Sequence, residues 1–203
     1  IGCSLVRRLL AAGVDVRVVD AMWFGNDGLQ GLGKRLDYIR GDIRNFDPAW
    51  LDGIQGVCHL ASLSNDPTAK LNAKLTKEIN VDGTMKVAEA AKRAGVRKFT
   101  FASSASVYGF NTDEICHENS PFNPQSDYAQ SKIDAEAGII SLAEVGGFFP
   151  VIFRQATVAG LSARMRFDLV LNTMVADAYS KGMITATPCF RPLIDINDVV
   201  LPH

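Results

Sequence analysis

Tyr128 and Lys132 stand four residues apart in Tyr128-Ala129-Gln130-Ser131-Lys132. On a helix, that spacing puts a phenol and an ammonium on one face. A free phenol ionises near about pH 10, so it is a poor base at neutral pH. A neighbouring ammonium favours the phenolate. The phenolate can then take a proton from an alcohol as a hydride leaves the same carbon. Tyr and Lys at this spacing also occur as a plain surface pair. Ser103-Ser104-Ala105-Ser106 shifts the balance, because it follows the run Lys98 to Ala102. Hydroxyls at the carboxyl end of a strand are placed to hold a reacting oxygen; a Ser-rich turn is the plain alternative.

Other residues suit a dinucleotide. Asp20 closes the β-branched run Val14 to Val19. In a dinucleotide fold an acid there accepts hydrogen bonds from the adenosine ribose hydroxyls. It would repel a 2′-phosphate, and Ala21-Met22-Trp23-Phe24 offers no cation to neutralise one. This favours NAD over NADP, although a turn-forming Asp carries even weight. Gly2, ahead of a helix, fits the last glycine of a phosphate-binding loop. Asp42 and Ile43 follow a strand and can hold an adenine edge or form a plain turn. In His59-Leu60-Ala61-Ser62 the small residues let a flat ring and a diphosphate approach the backbone. His59 itself reads as a satisfied, partly buried histidine rather than a catalyst. Arg164 and Arg166 can bind substrate phosphates, or form a solvated pair with equal weight.

The elements that position these groups alternate in type. Helices are expected over Ser4 to Ala12 with Gly13 at its end, Asp47 to Asp52, Leu71 to Ala94 closed by Gly95, Asp127 to Glu144, and Phe167 to Lys181 closed by Gly182. Strands are expected over Val14 to Val19, Leu36 to Arg40, Gly56 to Leu60, Lys98 to Ala102, Val151 to Arg154, and the apolar run Leu193 to Leu201. Phe110 to Gln125 is polar and contains proline, as suits a flexible loop over a site. Strands alternating with helices predict βαβ crossovers and a mostly parallel sheet covered on both faces. The fold class is α/β, a Rossmann-type doubly wound sheet, with ligands beyond the carboxyl ends of the strands. Ala88, Ala91, Ile139 and Ile140 are apolar outer helix positions that suit either a partner or the core.

The chain has 203 residues and a formal net charge of -1. That charge gives no electrostatic reason to expect nucleic acid or an anionic membrane. Four scattered cysteines with no CxxC pair predict reduced cytosolic thiols rather than a zinc site or disulfides. No apolar run is long enough for a transmembrane helix. No Met precedes Ile1-Gly2, which runs straight into a helical pattern, and the last apolar run has no terminator. We therefore expect truncation at both ends. Residues 1–160 then form a dinucleotide-binding domain incomplete at its start, and residues 161–203 open a substrate-binding region.

Taken together, VVDAMWFG, GDIRNFD, HLASLSNDP, INVDGT, FASSASVYG, ENSPFNPQSDYAQSK, FRQATVAG and RPLIDINDV resemble, in order and spacing, the extended short-chain dehydrogenase/reductase family. The likeness is to its nucleotide-sugar epimerase/dehydratase branch and covers nearly the whole chain. The resemblance implies that Gly2 is the last glycine of the nucleotide loop, Asp20 the ribose acid, Asp42 and Ile43 the adenine contact, and Ala61 and Asn80 cofactor contacts. It makes Ser104 the catalytic Ser/Thr, Tyr128 the base, and Lys132 the residue that holds the nicotinamide ribose and tunes Tyr128. Dehydratases of this branch carry Thr-Asp-Glu where this chain has Ser104-Ala105-Ser106, which disfavours dehydration. Thr157 replaces a frequent Asn at a diphosphate-facing position. Leu161 to Phe167, with Arg164 and Arg166, looks like the substrate-facing insertion of one bacterial epimerase subgroup. The resemblance implies a cytoplasmic, metal-free, homodimeric NAD enzyme that epimerises a nucleoside-diphosphate sugar, with a ketoreductase or dehydrogenase as the near alternative. A non-catalytic NAD-binding regulator is a further alternative, disfavoured because such proteins typically lose the Tyr or the Lys. A chain lacking its first strand is expected to bind NAD weakly or not at all.

Overall fold

A computed structural model describes residues 1–64, 72–110, 115–145, 147–185 and 192–200. The chain divides into two compact units. The larger comprises Val19–Met22 and Tyr38–Arg154, the smaller Ile1–Val18, Trp23–Asp37 and Gln155–His203.

The larger unit is built on β3 (Gly56–His59), β4 (Lys98–Ser104) and β5 (Phe149–Gln155), hydrogen-bonded in that order. β3 runs parallel to β4, with Gly56 opposite Lys98 and His59 opposite Phe101. Phe99 and Phe101 share the buried face of β4, as the two-residue period of a strand requires. They pack with Val87, Ala88, Ala91, Val96, Ala135, Ile139 and Phe148 in one core cluster. Burial of each large apolar side chain contributes about 1.5–3 kcal/mol.

Three helical segments run end to end between β3 and β4: α2 (Ala73–Lys77), a π-helical stretch (Glu78–Gly83) and α3 (Thr84–Arg93). Asn72 caps the start, its side chain accepting the Leu75 N–H at 2.9 Å, and Gly95 follows the end in a left-handed conformation (φ 75°). α4 (Asp127–Ser141) joins β4 to β5. Its cap is Ser126, whose hydroxyl accepts the Ala129 N–H at 3.1 Å. These βαβ crossovers form the predicted Rossmann-type α/β arrangement. Ala88, Ala91 and Ile139 are wholly buried in the core, so of the four outer positions only Ile140 faces outward, 55% exposed.

β1 (Val16–Asp20) pairs with β2 (Leu36–Arg40), and the unit boundary passes through both. In the smaller unit, α1 (Gly2–Ala11) ends where the Gly13 and Val14 N–H groups bond back to the Leu10 and Leu9 carbonyls. Gly13 sits at φ 83°. This doubly bonded turn matches the helix end read from the sequence. The unit continues with β6 (Thr157–Ala159), α5 (Val170–Lys181), β7 (Leu193–Asp195) and α6 (Ile196–Val199). β6 and β7 pair in parallel, Thr157 opposite Leu193.

Two expectations are corrected here. The run from Leu193 is not one strand: it turns at Asp195, whose carboxylate accepts the Asn197 N–H at 2.8 Å and starts α6. Apolar residues continue past that cap because Ile196, Val199 and Val200 form a buried helical face. The helix predicted from Phe167 begins at Val170. The predicted start of the long central helix, Leu71, lies outside the described residues, as does Cys189.

Candidate active site

α4 carries Tyr128 and Lys132 one turn apart and on one side. The Lys132 Nζ lies 5.7 Å from the Tyr128 ring centroid and 4.7 Å from that of Phe101. Nζ donates to the Ala102 carbonyl at 2.8 Å. Lys132 is only 3% exposed. Burial brings its ammonium down to a pKa of about 7, against the opposing effect of the Glu136 carboxylate. A buried ammonium beside a phenol is the electrostatic arrangement that favours phenolate.

Ser104 ends β4, two residues beyond the carbonyl that holds Lys132. Its hydroxyl oxygen accepts the Ser106 N–H at 3.2 Å and the Ser106 hydroxyl at 2.9 Å. Both acceptor directions are thereby used, so the Ser104 O–H is left to donate toward a ligand oxygen. Gly109, at φ 59°, lets the following strap fold back: the Asn123 N–H reaches the Val107 carbonyl at 3.0 Å.

Asn80 sits in the π-helical stretch, a conformation frequent at functional sites. It accepts the Leu63 N–H at 2.8 Å and donates to the Leu63 carbonyl and the Ser131 hydroxyl, each at 3.0 Å. This buried amide ties the loop carrying Ala61 to α4. Its polar contacts go to that task rather than to an open surface. His59 is wholly within the core, stacked on Phe99 and Phe101, with Nε2 2.9 Å from the Thr84 hydroxyl. Desolvation lowers its pKa to about 3, so it is neutral at physiological pH.

For the dinucleotide, Asp20 ends β1 with an exposed carboxylate. One of its oxygens accepts the Met22 N–H at 2.7 Å; Met22 adopts φ 55°, a conformation unusual for a side-chain-bearing residue. Asp42 caps the turn after β2, accepting the Arg44 N–H at 2.9 Å and pairing with its guanidinium at 2.6 Å. That hydrogen bonding holds its carboxyl below the usual range. Ile43 buries its side chain in the core cluster, so any ligand contact from this position is through its backbone. An exposed carboxylate at one strand end, with a phenol and an ammonium beside another, is a donor and acceptor set that fits NAD.

Gly2, Thr157, Arg164 and Arg166 belong to the smaller unit. Gly2 opens α1, and Thr157 opens β6, its N–H bonded to the Pro192 carbonyl. The Arg164 guanidinium stacks 3.3 Å from the Phe24 ring centroid, and Arg166 pairs with Asp168 at 2.6 Å. Among the described residues, no cluster of three His, Cys, Asp or Glu side chains is placed to hold a metal.

Sequence reading missed a buried network behind the Tyr–Lys pair. Glu136, 1% exposed, receives the Ser103 hydroxyl and pairs with Arg154 at 2.7 Å. The signals were present. Glu136 follows Lys132 by one helical turn and so shares its face, and Arg154 interrupts the apolar strand Phe149–Gln155, where a charge demands a partner.

The family described as NAD dependent epimerase/dehydratase matches residues 1–201. The chain is 31% identical over 165 residues to a UDP-glucose 4-epimerase of Lacticaseibacillus casei, covering 79% of this chain and 49% of that protein. It is 31% identical over 205 residues to the sterol demethylase protein B of Methylococcus capsulatus, covering 98% of this chain and 60% of the relative. The solved structure of MoeE5 in complex with UDP-glucose and NAD superposes with a TM-score of 0.82 at 28% identity, over 98% of this chain and 65% of that one. The chain thus spans about half to two thirds of the length of these proteins.

Proposed function

Because this chain belongs to the NAD dependent epimerase/dehydratase family, we propose that it serves an epimerase acting on a nucleoside-diphosphate sugar, inverting a ring carbon, C4, with NAD as resident cofactor. The observation that carries this reading is the buried Lys132 ammonium beside the Tyr128 ring. The likeness to UDP-glucose 4-epimerases supports the reaction and the substrate class.

Asp20 would hold the adenosine ribose, Asp42 and the Ile43 backbone the adenine, Gly2 the diphosphate, and Ala61 and Lys132 the nicotinamide side, with Asn80 acting there through the Ala61 loop that it ties to α4. Residues 1–160 would form this cofactor domain and residues 161–203 the start of the substrate region, with Thr157, Arg164 and Arg166 toward the sugar nucleotide. When bound, NAD supplies a hydride acceptor that returns what it takes, so the overall reaction has no net redox change. The residues do the proton chemistry. The Tyr128 phenolate takes the proton of the sugar hydroxyl and later gives it back. Lys132 lowers the cost of that phenolate. Ser104 donates to the reacting oxygen as charge develops on it. Ser104-Ala105-Ser106 has no acid pair for eliminating water, which disfavours dehydration. The working form would be a cytoplasmic homodimer.

In the full-length protein, Tyr128→Phe is expected to lower kcat for UDP-glucose epimerisation by about 10²-fold or more. Unchanged turnover removes Tyr128 from the mechanism. Steady growth of reduced-nicotinamide absorbance would instead indicate a one-way dehydrogenase or ketoreductase.

A further inference from the structure

We propose that Glu136, held by Arg154, is a positioning residue for Ser104, Tyr128 and Lys132: one buried carboxylate fixes the end of β4, the middle of α4 and the strap after Ser104 relative to one another. The inference rests on the proposed roles of those three residues.

The connections are specific. Ser103, which donates to Glu136 Oε1, is the residue before Ser104, so this bond sets where β4 ends against α4. Glu136 lies one turn beyond Lys132 and two beyond Tyr128 on that helix. Arg154, on β5, grips the same carboxylate: Nε reaches both oxygens at 3.2 and 3.1 Å, and a terminal nitrogen reaches Oε2 at 2.7 Å. Its other terminal nitrogen donates to the Tyr108 hydroxyl and the Glu118 carbonyl, each at 2.8 Å. The guanidinium also lies 4.6 Å from the Phe122 ring centroid. Arg154 thus gathers both sides of the strap onto the carboxylate that anchors β4 and α4. An apolar pair of similar volume can hold a fold as well as a buried ion pair, but it has no directional bond to Ser103 or Tyr108.

Glu136 also bears on Lys132. Burial drives the ammonium toward neutrality, and Glu136 is the group that opposes this. Among the described residues, Tyr128 on α4 and His59 on β3 also face Lys132, and neutral His59 contributes no charge.

The test uses the full-length protein with UDP-glucose as probe, and three variants. Glu136→Gln keeps an acceptor for Ser103 but removes the charge. Ser103→Ala removes one bond and leaves the ion pair. Tyr128→Phe reports on the underlying mechanism. Glu136→Gln should lower kcat by about 10- to 100-fold, the scale of a small misplacement of reacting groups, with KM within about threefold. The alkaline limb of its kcat–pH profile should move to lower pH, and Glu136→Asp should restore that limb. Ser103→Ala should lower kcat without moving the limb. Wild-type kcat in Ser103→Ala, or in folded Glu136→Gln, overturns the proposal while inactive Tyr128→Phe leaves the mechanism standing. Active Tyr128→Phe sinks both. Titration of Lys132 followed by ¹³C NMR needs no turnover: its midpoint should fall in Glu136→Gln, and an unmoved midpoint refutes the electrostatic part.

Discussion

The Lys132 ammonium occupies a place that favours a neutral side chain, and the cost has a definite pH dependence. Its folded pKa of about 7 lies below the ordinary lysine value. Between those two values the unfolded chain binds more protons than the folded one, so stability rises with pH across that window. The penalty is complete below pH 7 and fades above it. Lys132→Met should therefore raise the melting temperature, by several degrees at pH 6 and less at pH 9.5, while removing activity. Calorimetry at both pH values checks this, and an equal gap at the two would contradict the assignment. The variant would exchange function for stability, as residues placed for chemistry commonly do. Tyr128 and Lys132 could be read from sequence because their relation is local: helical spacing alone fixes it. Glu136 and Arg154 are 18 residues apart and meet through the packing of β5 on α4, which spacing does not encode.

At the scale of elements, the strap after β4 depends on a single backbone conformation. Gly109 sits at φ 59°, and a Cβ there would lie 1.8 Å from the Asn123 carbonyl oxygen. Backbone cannot yield as a flexible side chain can. Gly109→Ala should cost about 2–4 kcal/mol, combining left-handed strain with the clash. Urea unfolding gives the number, and limited proteolysis should cut first between Phe110 and Gln125. A loss below about 0.5 kcal/mol, the scale of an ordinary surface substitution, would mean that the strap relaxes freely. The sequence marked this segment as a loop from its polar and proline residues, without showing that Arg154 and Asn123 hold its ends down. The π-helical stretch was likewise not foreseen within the long helix expected from sequence; it carries Asn80, which bonds both Leu63 and Ser131.

At the scale of the molecule, Ile140 stands 55% exposed on α4, the one outward position among four apolar candidates for a partner surface. The full-length protein should sediment as a dimer at micromolar concentration, and Ile140→Glu should shift it toward monomer. Monomeric wild-type protein in sedimentation velocity would remove the homodimer from the proposal. The alternation of strands and helices, the helix ends at Gly13, Gly95 and Gly182, and the Tyr128–Lys132 pair were settled by sequence alone, because periodicity, capping and one-turn spacing act over a few residues. Tertiary structure decided what depends on distant chain segments meeting. Ala88, Ala91 and Ile139 went to the core rather than a partner, His59 was sealed between Phe99 and Phe101, and the Leu193 run was broken by the Asp195 cap. The same packing brought Ser103, Glu136 and Arg154 into one buried network. Burial and hydrogen bonding between remote segments are set by three-dimensional packing, and no local pattern carries that information.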